Sequence, residues 1–145
     1  MIRQISHLCF DTDNLPAMVA FYETLGLTKK FPFLTKDGQT FGYYLTAGNS
    51  TFLELFDRTL KSTVWGNGAP PATPLTKGTQ YVHLCFEITG LQAFKAKLEQ
   101  RGVKVGPIST GMSKALAAWT SDPDGNTIEL LEYTSESLHI QPSNP

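Results

Sequence analysis

The sequence predicts an α+β fold built from two copies of one β-α-β-β-β unit, and three observations carry that prediction. The tetrapeptide His7-Leu8-Cys9-Phe10 recurs as His83-Leu84-Cys85-Phe86. One offset of 76 positions links His7 to His83, Leu15 to Leu91, Gly26 to Gly102 and Leu27 to Val103. The closing strand-like stretch of each copy carries a glutamate among apolar residues, Glu54 and Glu129, 75 positions apart. A fixed offset held this far is the mark of an internal repeat.

Each element follows in order. Residues 3–11 and 80–88 alternate and hold β-formers, so they read as strands. A helix comes next in each copy. Asn14 suits its N-cap and Pro16 its first turn. Leu15, Met18, Val19, Tyr22 and Leu25 then form one apolar stripe at spacings of three and four. Leu91, Phe94 and Leu98 do the same in the second copy, with Lys95, Lys97, Glu99 and Gln100 toward water. Gly26 and Gly102 end these helices. Further strands are expected at 27–33, 40–47 and 50–57, and again at 103–109, 115–121 and 126–133. Lys36-Asp37-Gly38, Gly48-Asn49-Ser50 and Asp122-Pro123-Asp124-Gly125-Asn126 supply the turns.

The expected organisation is a single domain over residues 1–145. Repeat one covers about 1–58, a Gly-, Pro- and Thr-rich linker 59–79, repeat two about 80–133, and a loosely held polar tail 134–145. At 145 residues, 41% hydrophobic and 17% charged, the chain can bury a core without staples. Its formal net charge is −1 and no cluster of like charge stands out, which argues against nucleic acid or a membrane surface as partner. No stretch is apolar enough to span a bilayer or to serve as a signal-peptide core, so the expected compartment is the cytoplasm. Two cysteines are too few for a disulfide scaffold; Cys9 and Cys85 are expected as buried thiols.

The chemistry lies in the histidines and glutamates. Glu54 shares a strand face with Phe52 and Phe56, and Glu129 with Thr127 and Leu131. His7 shares a face with Ile5 and Cys9, and His83 with Tyr81 and Cys85. A carboxylate on an apolar face must be paired, bind a cation or take up a proton. A lone strand histidine is more often hydrogen-bonded structure than a ligand, and a lone strand glutamate often faces solvent. Two of each at matching offsets change that balance. If the first strand of each unit lies beside its last, each unit brings one imidazole to one carboxylate. Such a set suits one divalent metal, Zn, Ni, Co, Mn or Fe(II). Asp11, Glu87 and Glu132 are expected at strand ends or on the solvent face, and His139 in an exposed tail. Among the aromatics Phe41, Tyr43, Phe52, Phe56 and Trp119, most are expected in the core and a minority beside substrate. The 109–114 loop has the composition of a flap in which Lys114 is able to meet an anion, although an exposed hairpin turn is the simpler reading.

Two such units, a His opening and a Glu closing each, and Asp122-Pro123-Asp124-Gly125-Asn126 three residues before Glu129 resemble the vicinal oxygen chelate superfamily. This is the glyoxalase, bleomycin-resistance and dioxygenase group. Phe21-Tyr22-Glu23-Thr24-Leu25-Gly26 is also typical of it. The resemblance implies that the units curl as mixed-sheet half-barrels around a metal held by His7, Glu54, His83 and Glu129. An intact His-Glu-His-Glu set is similar to glyoxalase I, or lactoylglutathione lyase. That similarity implies a lyase or isomerase acting through an enediolate on a small oxygenated substrate, with a thiol adduct as one form of it. Glu129 is then the first choice as base and Glu54 the second. It also implies a homodimer.

The fold hosts other chemistries, so alternatives stay open. One is a metal-free small-molecule binder of bleomycin-resistance type. Another is an Fe(II) ring-cleaving dioxygenase, weakened because Trp119 stands where such enzymes place a tyrosine. Glutathione-using relatives carry an arginine soon after the first histidine, and His7-Leu8-Cys9-Phe10-Asp11 has none.

Overall fold

A computed structural model describes residues 3–66 and 82–142 of the chain. The chain divides into two compact units, residues 1–77 and 78–145, each holding one repeat.

Unit 1 runs β1 (His7–Thr12), α1 (Leu15–Thr24), β2 (Thr28–Leu34), β3 (Thr40–Thr46), β4 (Phe52–Asp57) and α2 (Arg58–Trp65). Its four strands form one mixed sheet in the order β1-β4-β3-β2. β1 and β4, the first and last strands, pair in parallel, with Cys9 directly opposite Glu54. β3 then runs antiparallel to both β4 and β2. The apolar stripe of α1 forms as its spacing predicts: Leu15, Met18, Val19 and Tyr22 are all buried. The Asn14 side chain accepts the Ala17 N–H at the helix start, and Gly26, at φ 102°, turns the chain out of its end. α1 packs on one face of the sheet, against β2, β3 and β4.

Unit 2 runs β5 (Leu84–Glu87), α3 (Leu91–Gln100), β6 (Ser109–Thr110), β7 (Leu116–Ser121), β8 (Thr127–Glu132) and a 3-10 turn (Leu138–Ile140). The sheet order β5-β8-β7-β6 repeats that of unit 1, with β5 parallel to β8. Leu91 and Leu98 bury the inner face of α3 against β7 and β8. The 122–126 turn closes as expected. Gly125 takes φ 78°, and the buried Asp122 carboxylate accepts from both the backbone and the side chain of Asn126. No helix among the described residues is long and apolar enough to cross a membrane.

Several expectations need correction. β1 begins at His7, not residue 3, and β5 at Leu84, while residues 80 and 81 lie outside the described residues. The strand expected at 103–109 shrinks to Ser109–Thr110. Pro107 has no N–H to give a ladder, and upstream of it only single bonds, such as Gly106 N–H to the Trp119 carbonyl, reach β7. The expected linker opens with α2, which Asp57 caps by accepting the Leu60 N–H. Salt bridges from Lys61 to Asp11 (2.5 Å) and from Arg58 to Asp13 (2.6 Å) tie α2 to the β1 end. Trp65 meets Phe33, Phe41 and Phe56 in an aromatic cluster. The remainder of that stretch, from residue 67, lies outside the described residues. The described part of the tail, residues 134–142, is held rather than loose. Ser137 is fully buried, Leu138 N–H donates to the Ser113 carbonyl, and Thr134 Oγ1 donates to the Lys114 carbonyl. These bonds reach the end of the 109–114 loop at Ser113 and Lys114, while Met112 at its tip is fully exposed, the form of an exposed hairpin turn. His139 lies tilted against Tyr133, with ring centres 5.0 Å apart.

Candidate functional site

The topology that pairs the first strand of each unit with its last sets each histidine beside its glutamate. In unit 1, His7 Nε2 lies 3.8 Å from Glu54 Oε2. In unit 2, His83 Nε2 lies 3.1 Å from Glu129 Oε2. The glutamates are the more sheltered members, with side chains 13% and 18% exposed against 40% and 33% for the histidines. Each pair therefore opens to solvent on its imidazole side.

A neutral imidazole nitrogen without its proton and an ionised carboxylate are both acceptors. At 3.1 Å, a proton or a cation has to lie between His83 and Glu129. Two ligand atoms bound to one cation at about 2.0–2.2 Å, in tetrahedral or octahedral arrangement, stand roughly 2.8–3.6 Å apart. The His83–Glu129 separation falls in that window, and the His7–Glu54 separation is within one side-chain adjustment of it. A mixed imidazole and carboxylate donor set suits a first-row divalent ion. By itself each pair supplies two donors, and among the described residues no unit gathers three or more His, Cys, Asp or Glu around one point.

The register explains what surrounds each pair. Across the ladder from Glu54 stand Cys9 on one side and Tyr44 on the other; across from Glu129 stand Cys85 and Trp119. Tyr44 meets His7 edge-on, with ring centres 5.5 Å apart and its hydroxyl 3.4 Å from Nδ1. Trp119, 40% exposed, meets His83 edge-on at 5.0 Å. Loss of hydration and then the Glu54 carboxylate push the Tyr44 hydroxyl above its ordinary pKa. Tyr44 is the residue beside the His–Glu pair that sequence reasoning missed. The signal was present, since Tyr44 lies 75 positions before Trp119, the same offset that links the two glutamates.

Both thiols depart from expectation. Cys9 and Cys85 are exposed, because they lie on the sheet face that carries the His–Glu pair, opposite the face covered by α1 or α3. Exposure of the residue does not mean full hydration of its sulfur. Partial burial, reinforced by Glu54 or Glu129, pushes each thiol up to about 12. They remain protonated and neutral near pH 7.

The other candidates divide. Phe41 and Phe56 belong to the core. Tyr43 points to the α1 side, where Lys29 Nζ sits 5.4 Å from its ring and the two border a cavity of about 310 Å³. Phe52 packs against Tyr44 beside the pair, at 5.6 Å. Asp11 is bound to Lys61 and Glu87 is exposed. Glu132 serves the fold rather than the pair, since both its oxygens accept backbone N–H groups at the start of α3, from Gly90 (2.6 Å) and Leu91 (2.9 Å).

Solved structures share this architecture. A lactoylglutathione lyase from Agrobacterium tumefaciens superposes with a TM-score of 0.62 at 23% identity, covering 89% of this chain and 92% of that one. A glyoxalase family protein from Enterococcus faecalis gives 0.66 at 23%, covering 90% and 98%. The protein SMU.1112c gives 0.72 at 20%, covering 91% and 100%. At these identities the likeness shows the fold alone. No curated protein sequence matches the chain. The profile of one family does match, over residues 4–130, and with the repeated β-α-β-β-β units it shows that the chain belongs to the Glyoxalase/Bleomycin resistance protein/Dioxygenase superfamily.

Proposed function

We propose that the protein is a divalent-metal-dependent lyase or isomerase of glyoxalase I type, in which His7, Glu54, His83 and Glu129 jointly hold one cation. The observation that supports this reading is the recurrence, in both units, of one imidazole and one carboxylate on adjacent parallel strands at separations compatible with a shared ion. Members of the superfamily typically bind a divalent metal and small molecules. Zn, Ni, Co, Mn and Fe(II) all suit this donor set.

A bound cation supplies Lewis acidity toward the oxygens of a small hydroxy-carbonyl substrate, lowering the barrier to removal of a C–H proton. This chain's own residues do the rest. Glu129, the more sheltered member of its pair, takes the proton from one carbon and returns it to the neighbouring one. Glu54 is the second candidate for the same role. The ring faces of Tyr44, Phe52 and Trp119 border the pairs and give the substrate's apolar portion a surface. The stretch just after His7 lacks the arginine that glutathione-using relatives place there, which favours a different substrate over a glutathione adduct.

The test is metal content and turnover together. Protein stripped of metal and reloaded with each ion in turn is expected to bind one ion per site and to isomerise hemithioacetals. Protein that never holds a stoichiometric ion sinks both this reading and an Fe(II) dioxygenase. Tight binding of a small apolar molecule that survives metal removal and Glu129→Gln supports the bleomycin-resistance type of binder instead. In the expected homodimer the two pairs of a set come from one chain or from two. Mixing Glu54→Gln with Glu129→Gln protein separates these cases, because a mixed dimer regains an intact set only if each set draws on both chains.

A further inference from the structure

The two histidines face different partners on their second nitrogen. Tyr44 stands across the ladder from Glu54, with its hydroxyl 3.4 Å from His7 Nδ1. A phenol has one proton to donate and lone pairs to accept with. Glu54, a carboxylate that only accepts, draws that proton toward itself. Toward His7 the hydroxyl oxygen is then left to accept. The imidazole that satisfies it carries its proton on Nδ1 and leaves a bare lone pair on Nε2. At 3.8 Å, His7 Nε2 has no hydrogen bond to Glu54 that would favour the other form.

Unit 2 is built the other way. Trp119 occupies the place of Tyr44, across from Glu129 and edge-on to His83, and an indole offers no acceptor oxygen. His83 Nε2 lies within hydrogen-bond distance of Glu129, 3.1 Å away. A neutral His83 therefore donates from Nε2 to Glu129.

We propose that Tyr44 is a positioning residue that presets His7 in the Nδ1–H tautomer, whereas His83, facing Trp119, rests as Nε2–H. The consequence, which rests on the metal-centre reading above, is a difference in readiness: His7 meets an incoming cation with Nε2 bare, while His83 must first give up the proton it shares with Glu129. Groups that hold the remote nitrogen of a ligating histidine typically change metal affinity by about 10–100-fold.

Nitrogen-15 correlation spectra of the metal-free protein, taken where both imidazoles are neutral, test this directly. The expected pattern is Nδ1–H for His7 and Nε2–H for His83. Tyr44→Phe keeps the ring and removes the hydroxyl. It should shift His7 toward Nε2–H, leave His83 unchanged, and weaken Zn(II) binding about tenfold. Trp119→Phe should leave the His7 tautomer where it was. A wild-type His7 found as Nε2–H overturns the proposal without any variant having to fold. So does a folded Tyr44→Phe protein whose His7 keeps Nδ1–H. Wild-type protein with the expected tautomers and no zinc binding would defeat the metal-centre reading while leaving the Tyr44 assignment standing.

Discussion

Across the ladder from the glutamate stands Tyr44 in unit 1 and Trp119 in unit 2; one step further along the same strands, Gly42 faces Phe56 in unit 1 where Ala117 faces Leu131 in unit 2. Strand order, parallel pairing and the His–Glu pair are the same in both units, yet these flanking positions have changed in a compensated way. A Cβ on Gly42 would run into the Phe56 ring and lie 2.8 Å from the Leu55 carbonyl oxygen, so the large ring demands the glycine. The smaller Leu131 permits an alanine. The segments after the closing strands differ as well. In unit 1 that segment is α2, capped by Asp57 and carrying Trp65 onto the aromatic cluster. In unit 2 the equivalent carboxylate, Glu132, reaches back to the start of α3, whose N-cap Gly90 has no side chain to offer. The backbone plan and the site pair are thus the shared frame, and packing has diverged around them.

The largest effect should separate the two glutamates. Glu129→Gln is expected to lower turnover by about 10²–10⁴-fold, the range for losing a positioned general base. Glu54→Gln should act chiefly through weaker cation binding, and excess metal should restore part of its activity. Equal losses, unresponsive to metal, would erase the distinction between the units. A smaller effect sharpens the packing comparison. Gly42→Ala should destabilise unit 1 by about 1–3 kcal/mol through overpacking, read as a lower denaturation midpoint. Adding Phe56→Leu, which copies the unit 2 arrangement, should recover part of the loss that Gly42→Ala causes; no recovery would mean that the Leu55 carbonyl, not the ring, sets the demand for glycine.

The smallest effect concerns the thiols, where the units should agree. Both lie far above their ordinary value of 9.0, at about 12, so Cys9 and Cys85 should alkylate more slowly than free cysteine at mildly alkaline pH despite their exposure. The same shift makes a stability statement. The protonated thiols favour the folded state fully below pH 9.0, and that contribution fades as pH rises toward about 12. Glu54→Gln should speed alkylation of Cys9 and leave Cys85 unchanged.

Features set by local chemistry could be read from the sequence. Asn14 capping, the α1 stripe, the Gly26 and Gly102 exits and the 122–126 turn each depend on neighbours a few positions away. The His–Glu pairs were legible through duplication, which turned two weak signals into matched ones. Features set by distant contacts were not. α2 is only eight residues long and has no buried residue; Asp11, Asp13 and the aromatic cluster hold it in place. The cysteines read as buried because free thiols usually are, and only the sheet register shows that they share the open face with His7 and His83. The 103–109 stretch has strand composition, but Gly106 and Pro107 deny it a continuous ladder.

The parallel pairing of β1 with β4 joins residues separated by the entire unit: His7 and Glu54 meet only after α1, β2 and β3 have been laid down between them. The entropic cost of such a closure grows with the logarithm of the loop. The pair is thus a latch across the two ends of the unit, and β5 with β8 repeats the arrangement in unit 2. If the pairs hold an ion as proposed, its binding is linked to completion of the sheet, and a substitution far from any ligand that loosens either paired strand should lower the ion's affinity.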